Sequence, residues 1–291
     1  MSLFVKCTVR VAAIQSLILQ GERDRNIRNA MALFDDAMRQ KPKLVCFTQA
    51  FATGINFIIL NKMAEPVPDG AITQLLMKKA AANQVHIAAG ILERDDDGKV
   101  YDAAVLIGPD GTLLGKYRRW MRWGGELNYI SPGTPRNCID TEFGKIGLLV
   151  GYDVCFPEAA QHYFRQGVDI IVYSASVFRD LRYNVRHLCG ARAMDNHCYV
   201  VFTGAIGEHQ FANMHYMGGT CICGDPYFQV QKLKKAEKNA MEVLASAGGG
   251  ENFIVADVHV SELAKVRDKL PFLDDFGTAM TVLEDASCGT T

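Results

Sequence analysis

Short apolar runs bounded by glycine and proline alternate along the chain with longer stretches in which apolar residues recur every three or four positions. Val9 to Ile14 begins as polar/apolar alternation and predicts a strand. From Glu22 to Arg39 the residues Ile27, Ala30, Met31, Phe34 and Met38 fall on one face of a helix, which predicts an amphipathic helix laid on a core. Lys43 to Thr48 is a short buried strand, and a helix around Ile72 to Ala82 leads into a strand over Val85 to Ile91. Asp95 to Gly98 has the residues of a hairpin turn, followed by a strand over Val100 to Ile107. Pro109-Asp110-Gly111 turns the chain again into Thr112 to Tyr117. Ile146 to Val150 lies between Gly144 and Gly151 and is apolar throughout, as in a strand buried on both faces. Pro157 and Glu158 open a helix, a proline in the first turn with an acidic residue behind it. Strands over Asp169 to Ser174, Cys198 to Gly204 and Phe253 to Val258 follow, with helices over Arg182 to Asn196 and Ser261 to Arg267. No internal repeat interrupts this order. Alternating strands and helices predict an α/β fold.

The stretch from Ile146 to Glu158 reads I-G-L-L-V-G-Y-D-V-C-F-P-E. A strand feeding a sharp turn feeding a helix is the geometry that lifts a reactive side chain to the top of a sheet. The stretch resembles the nucleophile turn of the nitrilase, or carbon-nitrogen hydrolase, superfamily, whose amidase-like branches read roughly I-C-Y-D-x-x-F-P-E. The family's catalytic cysteine falls on Gly151. The family pattern F-P-E-x-F-x-T-G-Y is met by Phe47, Phe51, Thr53 and Gly54, while Thr48 stands for its proline and Gln49 for its catalytic glutamate. The segment Gly115 to Gly133 is similar to the family's G-x-Y-R-K-x-H-L followed by G-E-x-x-Y-F-x-P-G. There the catalytic lysine falls on Arg119 and a second, supporting glutamate falls on Glu126. Ala191-Arg192-Ala193-Met194-Asp195-Asn196 is close to the family's A-R-A-x-E-N. Gly218-Gly219-Thr220 with Asp225-Pro226 resembles a later block, with Phe228 in place of its last glycine.

The resemblance spans roughly Val9 to Leu273. It implies a four-layer α-β-β-α sandwich, one nitrilase-like domain over residues 1–291, and a homodimer or larger homo-oligomer. It implies neither a metal nor an organic cofactor.

Composition narrows the partners. Hydrophobic residues make up 49% and charged residues 22%, ordinary for a soluble globular chain, and a net charge of -1 argues against nucleic acid or an acidic membrane as a general partner. Nine cysteines are scattered with no C-x-x-C, and several sit in apolar runs, as buried thiols do in a reducing compartment. Lys6 and Arg10 interrupt the N-terminal apolar stretch and no run is long enough to span a bilayer, so the expected location is the cytoplasm. The basic excursion from Gln229 to Met241 reads as a solvated surface.

Thiol-based hydrolysis of an amide or nitrile needs a nucleophile, a base that takes its proton, and a donor for the oxyanion. At the matching positions Gly151 has no nucleophile, and the neutral amide of Gln49 accepts no proton near pH 7. Arg119 keeps a positive charge on a planar fork. Two readings follow. In the first the chain is a pseudoenzyme that keeps a pocket for a small amide or carboxylate, with Tyr152, Trp120, Trp123 and Ser174 as candidate contacts. In that reading Gly151 leaves extra room on the pocket floor, and Arg119 and Glu126 balance in charge. In the second it hydrolyses C–N bonds of small linear amides or N-carbamoyl compounds with a displaced thiol, Cys155, and Glu126 as base.

Overall fold

In the computed structural model, residues 8–179, 184–209, 213–225, 243–267, 274–275 and 277–280 are described. Pro226, Phe228 and the basic excursion from Gln229 to Met241 lie outside the described residues.

Two six-stranded sheets face each other. The first runs β5 (Leu113–Arg118), β4 (Val100–Ile107), β3 (His86–Arg94), β2 (Leu44–Phe47), β1 (Val9–Leu17) and β13 (Asn252–Val258). The second runs β6 (Ile139–Thr141), β7 (Gly144–Val150), β8 (Ile170–Ala175), β9 (Tyr199–His209), β11 (Cys221–Gly224) and β12 (Val243–Ser246). They join at one corner, where Ser16 and Leu17 pair in parallel with Ala205 and Ile206. β10 (Met214–Met217) hangs on the far end of β9. Strands β1, β2 and β3 are mutually parallel, as are β7, β8 and β9, while β4 over β7 and β3 over β8 bring the sheets together.

Alternation along the strands sorts side chains into layers. On β1, Val9, Val11 and Ala13 point between the sheets, whereas Ala12 and Ile14 point out under the helices α1 (Arg23–Met38) and α3 (Ala71–Asn83). Phe34 of α1 is fully buried there and stacks on Phe47 with ring centroids 6.0 Å apart. Truncating such a ring to alanine costs about 3–5 kcal/mol. The second sheet is covered by α4 (Pro157–Phe164) and α5 (Val185–Asp195), whose Ala159, Tyr163, Cys189 and Ala193 join the core between. The layers are thus helix, sheet, sheet, helix. Helices α2 (Leu60–Met63) and α6 (Val260–Arg267) are further described elements. Among the described residues no helix is long and apolar enough to cross a membrane.

The sheets are also pinned by polar groups. Ser174 Oγ and Thr203 Oγ1 both donate to the carbonyl of Phe47, at 2.9 and 3.0 Å, and Thr48 Oγ1 donates to the carbonyl of Thr203 at 2.9 Å. These ties fix the end of β2, and with it the residue that follows, against the second sheet.

Candidate active site

Gln49 follows β2, Arg119 follows β5, Gly151 follows β7 and Ser176 follows β8, so one end of the sandwich gathers residues far apart in sequence. The turn after β2 is tight: Ala50 has φ +43°. β3 passes so close beneath it that a β-carbon on Gly90 would lie 2.5 Å from Gln49 Cα. Gly151 itself has φ +56°, the left-handed region, and begins a 3₁₀ turn over Gly151–Cys155.

The four family positions do come together, around a fifth residue, Asp102, that belongs to none of the motif blocks. The Gln49 Nε2 amide donates to Asp102 Oδ2, and the Ser176 N–H donates to Gln49 Oε1 at 2.7 Å. Arg119 Nε stands 3.0 Å from the same Asp102 Oδ2, and Arg119 Nη2 stands 2.8 Å from Glu126 Oε2. Gln49, Asp102 and Arg119 are all buried, with at most 3% of their surface exposed. Both functional ends of the Gln49 amide are therefore committed to the scaffold. Arg119 is held between two carboxylates, which offset its charge.

Burial drives the electrostatics. Loss of water pushes the Asp102 carboxyl up to about 6, with Arg119 pulling it back, and leaves it mainly ionised at neutral pH. The same loss pushes Asp153 up to about 7, while hydrogen bonds from the Tyr117 hydroxyl (2.6 Å), the Met121 N–H (3.2 Å) and the Val150 N–H (3.3 Å) favour its charged form. Tyr117 lies on β5 and Asp153 in the turn after β7, so this bond clamps the nucleophile-type turn to the opposite sheet. Asp102 and Glu126 together outweigh Arg119. The expectation that Arg119 and Glu126 simply balance is corrected by Asp102, which adds a negative charge behind the pocket.

A second expectation fails as well. Gly151 does not leave free room: a β-carbon placed there would come within 2.7 Å of Gln49 Nε2 and 2.9 Å of Arg119 Nη1. The guanidinium and the amide occupy the ground a side chain at 151 would need.

Beside this cluster opens a cavity of about 240 Å³. Tyr152, Trp123 and Cys155 line it, as do Glu126, Arg119 and Gly151. Two of the expected contacts are elsewhere. Ser174 is buried inside β8 as the cross-sheet tie, and it is Ser176, past the strand end, that reaches the cavity. Trp120 packs on the hydrophobic core and lines a separate small cavity with Tyr117 and Leu149. Phe178, Tyr216 and His209 line the cavity and were not foreseen. They stand on loops and on β9 and β10 with no periodic signal, although Phe178 and Tyr216 stack at 5.0 Å. Asp102 did carry a signal, being the one carboxylate in the apolar run V-Y-D-A-A-V-L-I. Among the described residues no group of His, Cys, Asp and Glu side chains is arranged to hold a metal.

Comparison with known proteins agrees with this architecture. The family described as carbon-nitrogen hydrolase matches residues 10–265. An omega-amidase of Mus musculus is 28% identical over 278 residues, 91% of this chain and 94% of that protein. A nitrilase of Pyrococcus abyssi is 32% identical over 239 residues, covering 81% of this chain and 87% of its own. Among solved structures, a Saccharomyces cerevisiae member of branch 10 of the nitrilase superfamily superposes with a TM-score of 0.79 at 24% identity, over 93% of this chain and 97% of that one.

Proposed function

The chain belongs to the carbon-nitrogen hydrolase family, and from that premise we propose that it is a member without the covalent chemistry, a pseudoenzyme that retains the scaffold to bind a small molecule. The observation that carries this reading is Gly151. A thiol-dependent hydrolase needs its nucleophile on the turn after β7, and the backbone there offers none. Gln49 reinforces it, since its amide is engaged at both ends by Asp102 and Ser176 and has no proton-accepting role left. We place the site at Gln49, Arg119, Glu126 and Gly151, with Tyr152 and Trp123 as ligand contacts. The same reading takes residues 1–291 as one domain of a cytoplasmic homodimer or larger homo-oligomer.

A second reading rests on one observation, that Cys155 lines the same cavity. Here its thiol attacks a small linear amide or N-carbamoyl compound, and Glu126 acts as base. Glu126 Oε2 already faces Arg119 Nη2 at 2.8 Å and accepts the Trp123 N–H at 2.9 Å, contacts that hold this carboxylate to the scaffold and weaken that assignment.

The test is hydrolysis of a panel of small amides, nitriles and N-carbamoyl compounds by the purified chain and by Cys155→Ala. The expected result is no turnover above buffer for either protein. Turnover that persists in Cys155→Ala overturns the proposal, and turnover that Cys155→Ala abolishes establishes the second reading.

A further inference from the structure

The cavity has a definite chemical character. Its walls are aromatic and aliphatic: Phe57, Trp123, Phe178 and Tyr216 supply rings, and Ile55 and Val177 supply alkyl surface. Trp123 and Phe178 have centroids 6.5 Å apart, and Phe57, at the mouth, stacks on Tyr129 at 4.8 Å.

Glu126 brings a carboxylate to this aromatic mouth. The 3₁₀ turn over Gly124–Asn128 carries it, and its Oε2 accepts the Trp123 backbone N–H at 2.9 Å, which fixes the carboxylate against the start of that turn. Oε2 also faces Arg119, while Oε1 has no hydrogen-bond partner among the described residues. The side chain is 14% exposed and lines the cavity, so Oε1 is open to an occupant.

Charge sets the sign of that occupant. Arg119 is the one Arg or Lys among the described residues that lines the cavity, and it is enclosed by Asp102 and Glu126. Two carboxylates against one guanidinium leave the site negative at neutral pH. A carboxylate ligand would meet this excess with no unpaired cation to receive it, and an uncharged amide could donate an N–H to Glu126 but would bring no positive charge to offset the excess. An ammonium group gains from the carboxylate and from the negative faces of the surrounding rings.

We infer that the cavity binds a small organic ammonium, a protonated primary amine on a compact apolar or aromatic body, with its head group on Glu126 Oε1 and its body among Trp123, Phe178 and Tyr216. This rests on the proposal above that the pocket holds a ligand without turning it over.

Thermal shift and calorimetric titration at about pH 7.5 compare n-butylammonium and phenethylammonium with the amides and carboxylates of matching size. The amines should raise the melting temperature in a concentration-dependent way by mass action, and the matched acids should not. Glu126→Gln, which keeps an acceptor for the Trp123 N–H, should weaken amine binding by at least about tenfold, the scale of a lost charge-assisted contact. Trp123→Leu should weaken it as well while leaving Glu126 in place, and the melting temperature of each variant without ligand reports whether it folds. Binding of acids or amides in preference to amines overturns the inference, as does the absence of amine binding, or amine binding indifferent to both substitutions. Hydrolysis is read in a separate assay, so amide turnover would sink the non-catalytic reading while the amine titration still decides the ligand class.

Discussion

The Arg119 guanidinium lies against the bare backbone of Gly151, so close that a β-carbon at position 151 would come within 2.9 Å of Nη1 and 3.2 Å of Cδ. The two positions, 32 residues apart in the sequence, are therefore sterically coupled. The arginine fills what a side chain on the turn would fill, and the glycine is what allows the arginine to sit there.

Gly151→Ala is expected to destabilise the fold by about 1–3 kcal/mol, because the left-handed backbone is strained for any residue with a β-carbon and the neighbours must also give way. Gly151→Cys should lose a similar amount and hydrolyse no amide, since no base stands beside the new thiol to ionise it. Urea unfolding and an amide assay check both. A Gly151→Cys protein of unchanged stability would show that the site relaxes freely and that the coupling is wrong.

Much of this end of the molecule is legible in the sequence, for reasons that can be named. Strand β4 is bounded correctly because turn residues close it on both sides, Asp95 to Gly98 before and Pro109 to Gly111 after. Helix α1 follows from a five-residue apolar face, though its buried Asn26 does not, because that side chain is buried only by capping the Leu19 and Ala52 backbone groups from the loops. Strands β6, β10, β11 and β12 span three or four residues each, too short for a period to register. The motif blocks place Gln49, Arg119, Glu126 and Gly151 in one site. Reading side chains one by one fails where the answer hangs on a strand end: Ser174 is inside β8 and Ser176 beyond it, two residues apart.

Rebuilding the family's catalytic set should need a fourth change. In Gly151→Cys/Gln49→Glu/Arg119→Lys, the carboxylate introduced at position 49 replaces an amide that donates to Asp102 Oδ2. Two carboxylates then share one buried contact, and one of them holds a proton at neutral pH. Amide hydrolysis by the triple variant should therefore stay weak and rise by at least about tenfold when Asp102→Asn is added, within the range that a positioned base contributes. Equal rates for the triple and quadruple variants would remove Asp102 from the account.

Stability should fall as the pH rises from acid to neutral in the part that Asp102 and Asp153 control. Both titrate higher in the folded chain, at about 6 and about 7, than the ordinary aspartate value of 3.8, so folding takes up protons across that window. Their contribution is fully present below the unfolded value and is lost as the pH passes the folded values. Glu93, held below its usual range by Lys116 and Arg118, works in the opposite direction, so the comparison must be between proteins. The difference in unfolding free energy between about pH 5 and pH 8 should shift by roughly 1–3 kcal/mol in Asp153→Asn, toward a flatter or rising profile. An unchanged profile would mean that Asp153 is not the titrating group.

A large loss is expected at Arg119. Removing it with Arg119→Met leaves Asp102 charged, fully buried and without its ion pair, and strands Glu126 beside the cavity. Breaking a buried pair from one side costs about 3–5 kcal/mol, because the remaining charge has neither water nor partner. That cost should be largest at about pH 8. It should shrink at about pH 5, where Asp102, already raised to about 6 with Arg119 present, takes up a proton and becomes neutral. Arg119→Met combined with Asp102→Asn removes both charges and should recover most of the stability, giving a strongly non-additive double-mutant cycle. Gln49 can still donate to the amide oxygen that Asp102→Asn provides, so the floor of the site is not otherwise disturbed in the double variant. Additive losses, or a cost for Arg119→Met that does not change between those two pH values, would show that Arg119 is held by packing rather than by its carboxylates.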